Sequence, residues 1–102
     1  MAYQSVLTAL ADPTRRGILE ALRSEPKSVG QLSSTQPVSR PAVSQHLKVL
    51  HKAGLVEVCG VGTRRIYAVK RDGLVELQDY LNTYWSDVLT AFSKEIQRQH
   101  GE

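Results

Sequence analysis

The chain has one cysteine, one tryptophan and one phenylalanine among its 102 residues. A lone cysteine, Cys59, excludes an internal disulfide framework. No run of about 18 apolar residues occurs, so no segment reads as a membrane span. The first residues, MAYQSVLTALADPTRR, lack a basic start, an apolar block and a small-residue cleavage site, and so do not read as a secretory signal. A cytoplasmic protein is expected. Enzyme signatures are missing as well. No Ser–His–acid or Cys–His arrangement has support from spacing, no glycine-rich phosphate loop is present, and no paired carboxylates fall in a cleft. No catalytic residue and no cofactor are therefore expected. Metal ligands cluster by type, whereas His46, His51, His100 and Cys59 are scattered, so no metal site is expected either.

The remaining absence is of acid. No Asp or Glu lies between Lys27 and Val56. From Pro26 to Arg71 eight basic residues face one acid, Glu57, while the rest of the chain is net acidic. Positive charge gathered in mid-chain suggests an anionic partner, most simply nucleic acid. The length suits one domain with a modest core, to which a second copy would add burial.

Local signals order the elements. Val6, Leu7 and Leu10 mark a weak first helix over about 3–11. Asp12-Pro13 starts a second, with a capping side chain followed by a proline that loses nothing at the first helical position. Ile18, Leu19 and Leu22 follow at helical spacing, and this helix should end near Ser24. Ser28 caps a short third helix with Val29 and Leu32 facing inward. STQPVS is a turn. Ser39 caps a fourth helix with Pro41 in its first turn and an inner stripe of Val43, Leu47 and Leu50. Gly54 sits where a left-handed residue ends a helix. From Leu55 the period becomes two, giving a hairpin around Gly60-Val61-Gly62. A final helix starts at Asp72 and carries Leu74, Leu77, Leu81, Tyr84, Val88, Phe92 and Ile96 to about Gln99. At about 40 Å it is too long to be covered by a small body. The fold class is mainly α with a small β-hairpin, in the order of four helices, two strands and a helix: a winged helix-turn-helix.

The fourth helix turns Pro41, Ser44, Gln45 and Lys48 outward. A major groove admits one helix, and an amide such as that of Gln45 can pair with adenine. Ser39, Arg40, Pro41, Ser44, Gln45 and Lys48 are thus candidate DNA-binding residues, joined on the hairpin by Thr63, Arg64 and Arg65. Adjacent strand residues point to opposite faces, so only one of the two arginines is expected to grip a phosphate or the minor groove. His46 and Lys52 are candidate phosphate contacts. For His46 a half-buried structural place, bonded to the preceding turn, competes with that role.

LADPTRRGILEAL, SVGQL, SRPAVSQHLKVLHKAGLVEV and GTRRIYAV together resemble the ArsR/SmtB family of bacterial winged-helix repressors, over about residues 4–98. The resemblance implies a homodimer, held by the first and last helices, that binds an imperfect palindrome in double-stranded DNA and represses transcription, as a simple or an autoregulatory repressor. Val6, Leu7, Leu10, Leu77, Leu81, Tyr84, Trp85, Val88 and Phe92 would form the interface. Metal-sensing members carry Cys-x-Cys-type or Asp/His motifs, which SVGQLSSTQ and the final helix lack, so the chain resembles the metal-free branch.

Alternatives rest on other residues. A winged-helix module can bind protein, but the fourth helix presents no Trp or Tyr anchor on its outer face. Tyr80, Tyr84, Trp85 and Phe92 could line a small-molecule cleft, although such a stripe is more often core. Cys59, between Val58 and Gly60, reads as a small buried hydrophobe, with a thiol open to oxidation as the competing role.

Overall fold

In the computed structural model, which describes residues 2–100, the helix starts fall where the caps place them. Helix α1 spans Ala2–Leu10 and α2 spans Pro13–Leu22. The Asp12 carboxylate accepts from the Thr14 and Arg15 N–H groups at 2.8 and 3.1 Å, so two orphan donors of α2 are satisfied. Helix α3, Val29–Ser33, starts in a reciprocal capping box. The Ser28 hydroxyl accepts from Gln31 N–H, and the Gln31 side chain accepts from Ser28 N–H. Helix α4 spans Arg40–Lys52, capped by Ser39. Gly54, at φ 76°, ends it in the left-handed region.

Three strands form one antiparallel sheet in the order β1-β3-β2: β1 Lys27–Ser28, β2 Val56–Val61 and β3 Arg64–Val69. Strand β1 is an addition to the expected order. It pairs Lys27 with Tyr67 and Ser28 with Ile66, and two residues are too few to show alternation in sequence. The hairpin also differs from expectation. Val61 pairs with Arg64, so Gly60 lies inside β2 and the turn is Gly62-Thr63. Gly62 takes φ 62° at the first turn position, which a two-residue hairpin of the II′ kind reserves for glycine.

The core draws on every layer of the body. Val6, Ala9, Ile18, Leu22, Leu32, Val43, Leu47, Leu50, Leu55 and Val56 are buried together. Helix α5, Arg71–His100, then leaves this body. Its first turns dock through Gly73, whose N–H donates to Gly54 O at 2.9 Å. Tyr80 stacks on Tyr3 of α1, centroids 4.4 Å apart, and residues 78–99 are exposed throughout. The molecule measures 70 × 24 × 24 Å with a radius of gyration of 18.7 Å, against about 13 Å for a compact chain of this length. The excess is α5, whose 30 residues extend about 45 Å.

Candidate nucleic-acid interface

Helix α4 divides by side. Val43, Leu47 and Leu50 are buried against α2 and α3, while Pro41, Gln45, Lys48 and Lys52 recur three or four residues apart on the exposed outer side. His51 lies on the flank toward the hairpin, Arg40 borders the start of α3, and Ser44 is half-buried. The Ser39 hydroxyl is engaged as the cap, accepting from Ala42 N–H at 3.3 Å. Lys52 leans toward α1, where it shares a groove with Gln4, Ser5 and Thr8.

The hairpin register separates the two arginines. Arg65 pairs with Gly60, Tyr67 with Val58 and Val69 with Val56, and opposed residues share a face. Arg65 therefore lies on the α4 side of the ribbon, in a notch with Lys48, His51 and Tyr67. It also borders a second cleft with Arg40, Thr63 and Arg64, against Ser28 and Gly30 of the α3 start. The Arg40 guanidinium rests on Gly30, where an added Cβ would lie 3.1 Å from Nη2. Three guanidinium groups thus border one cleft, and no carboxylate lines it.

Sequence reasoning did not foresee what Arg15 and Arg16 do. Arg15 donates to Ala9 O at 2.7 Å and Thr8 O at 3.2 Å; Arg16 donates to Leu10 O at 2.8 Å and Ala11 O at 3.2 Å. The two side chains fold back to satisfy the open carbonyls at the end of α1. ADPTRR is thus a two-way corner, its acid capping the helix that follows and its bases the helix that precedes. The signal lay in the spacing, with two arginines within seven residues of a helix end. The Asp12 carboxyl is held below the usual carboxylate value, chiefly by the Arg15 N–H, with burial opposing and Thr14 N–H, His46 and Arg15 charge assisting.

Several expected residues stand elsewhere. His46 is half-buried, but Nδ1 meets Arg15 Nη1 at 3.4 Å and not the preceding turn. Cys59 is exposed, which overturns the buried reading. It falls on the same strand parity as exposed Glu57 and Val61, opposite buried Val56. Val6, expected above at a dimer interface, is fully buried in the chain's own core and has no surface left for a partner. Leu10 and Leu77 are partly used by the same core. Leu7, Leu81, Tyr84, Trp85, Val88 and Phe92 are exposed, Trp85 by 57% and Phe92 by 63%. Among the described residues no group of three or more His, Cys, Asp or Glu could hold a metal ion, and no helix is long and apolar enough to cross a membrane.

Residues 12–58 match the family described as "Bacterial regulatory protein, arsR family". The chain is 48% identical over 91 residues to the HTH-type transcriptional regulator Rv2034 of Mycobacterium tuberculosis, covering 89% of this chain and 85% of that one. The chain belongs to the arsR family. Another relative, the transcriptional repressor SdpR of Bacillus subtilis, is 31% identical over 78 residues, covering 76% of this chain and 83% of that one. A solution structure of the homodimeric winged helix-turn-helix DNA-binding domain of Mb0332 from Mycobacterium bovis superimposes with a TM-score of 0.64. It covers 95% of this chain and 83% of the other at 22% identity, a likeness of fold. This arsR-family chain is a transcriptional regulator with a DNA-binding winged helix-turn-helix, and the family is one of regulators, not enzymes.

Proposed function

We propose that the protein is a homodimeric repressor that binds a nearly palindromic operator in double-stranded DNA, its own promoter among the targets, without a metal co-ligand. The observation that carries this reading is the continuity of positive charge from the outer side of α4 to the arginine-bordered cleft at the hairpin. Gln45 and Ser44 would read base edges, Pro41 would contact a thymine methyl, and Lys48 would meet the backbone. Ser39, Arg40, Thr63, Arg64 and Arg65 would hold phosphates beside the groove. Lys52, leaning to α1, and half-buried His46 would act on phosphates only at the edge of this surface. The exposed stripe of Leu81, Tyr84, Trp85, Val88 and Phe92, with Leu7 on α1, supports pairing of two copies through the terminal helices. Such a dimer sets its two α4 helices one DNA turn apart, about 34 Å.

The test is fluorescence anisotropy on the chain's own upstream DNA and on unrelated DNA, across a salt series, with and without Zn²⁺ or a chelator. Selective, salt-dependent binding that ignores metal is the expected result. Gln45→Ala should relax sequence preference, whereas Lys48→Ala should weaken all DNA alike and flatten the salt slope by about 0.9. Equal, weak binding to both DNAs would remove the operator reading, and abolition by zinc would remove the metal-free one.

A further inference from the structure

Three histidines occur in the chain, and the structure gives two of them different surroundings. His46 faces Arg15 on the α1 side of α4. His51 faces the opposite way, into the notch between α4 and the hairpin, where its neighbours are Lys48 on its own helix and Arg65 and Tyr67 on β3. Leu47 and Val58 close the floor, and no carboxylate lines the notch. Each ion pair among the described residues joins other side chains, so Lys48 and Arg65 keep their charge available there.

This arrangement suits one tetrahedral, singly charged oxyanion: an ammonium and an imidazole three residues apart on a helix, a guanidinium opposite and a phenol beside it. A DNA backbone phosphate carries one such charge and runs along the edge of any groove that α4 enters. We propose that the notch of Lys48, His51, Arg65 and Tyr67 seats one backbone phosphate, and that His51 takes up a proton as it does so. The inference rests on the DNA-binding reading above. Histidine is the side chain that changes charge between about pH 5 and 8, and an adjacent phosphate favours its charged form. Binding that favours the protonated form strengthens as pH falls. It also adds one cation to the phosphate contacts, so the salt slope steepens by about 0.9 when the proton is present. His51 is then a residue through which the regulator's grip on DNA responds to pH, while the base-reading side chains are untouched.

The experiment compares the wild-type chain with His51→Gln and Arg65→Ala by anisotropy on one duplex, at pH 6 and pH 8, over 50–200 mM salt. Glutamine keeps a donor of similar reach without the titration, and His51 is exposed, so the fold is not at stake. Wild type should bind more tightly at pH 6, with a slope steeper by about 0.9, equivalent to about threefold in affinity across that salt range. His51→Gln should lose that difference and match wild type at pH 8. Arg65→Ala should flatten the slope by about 0.9 at both pH values. The same pH dependence in His51→Gln as in wild type, or an equal loss at both pH values, overturns the proposal. Absence of DNA binding under every condition instead overturns the functional reading, and the proposal falls with it.

Discussion

Replacing Gly73 with alanine puts two known effects in opposition, and the structure decides the sign. Gly73 is buried in the first turns of α5, and alanine in a helix interior is normally favoured over glycine by about 1 kcal/mol. Here an added Cβ would lie 2.8 Å from Ala53 O, 3.0 Å from Gly54 O and 3.1 Å from Gly54 C. Those atoms are backbone, fixed by the left-handed turn at Gly54 and by the Gly73 N–H to Gly54 O bond, so no side chain can swing away. Forcing a methyl into such a contact costs about 1–3 kcal/mol. Because the relief must come from lifting α5 off the α4–β2 turn, the upper part of that range applies, and the net loss is about 1–2 kcal/mol. For a domain of this size that lowers Tm by roughly 5–10 °C. Calorimetry of Gly73→Ala and wild type at equal protein concentration measures it, since association alone shifts Tm. A Tm that rises with the substitution would refute the reasoning, because it would mean that helix propensity outweighs the docking of α5.

Other outcomes follow from single contacts. Leu50→Ala empties a fully buried site beneath α4 and should cost about 2–5 kcal/mol in urea unfolding; a change below 1 kcal/mol would place the core elsewhere. Arg15→Ala leaves the Thr8 and Ala9 carbonyls without their side-chain donor and should cost about 1–2 kcal/mol, with faster amide exchange at the end of α1. The Asp12 carboxyl is depressed in the folded chain, so its contribution is present above the ordinary carboxylate range and is lost as pH falls through the folded value. Asp12→Asn should therefore reduce the stability difference between pH 6 and pH 3, and an unchanged difference would assign the acid sensitivity to other groups.

The helix starts were legible because each depends on atoms within four residues. Asp12, Ser28 and Ser39 bond to backbone just ahead of them, and Gly54 meets a local dihedral demand. The inner stripe of α4 was legible because a helix repeats every 3.6 residues wherever it sits. Strand β1 was not, since two residues become a strand only when β3 arrives beside them. Cys59 was misread from its apolar neighbours, although its parity with Glu57 pointed outward. Val6 was misassigned because an apolar residue on a terminal helix looks alike whether it packs inward or against a partner; the core had taken it.

The candidate site divides in the same way. Sequence alone determined which side chains α4 could offer, that the middle of the chain is basic, and that the last helix is too long for a small body to cover. Those are properties of composition and of periodicity along one element. Only the tertiary structure decided which arginine of the hairpin turns toward α4, which histidine stands in the cationic notch and which arginines are occupied in closing α1. Each of these depends on strand register or on the meeting of elements far apart in the chain. A one-residue slip in β3 would exchange Arg64 for Arg65 while leaving every local preference in the sequence unchanged.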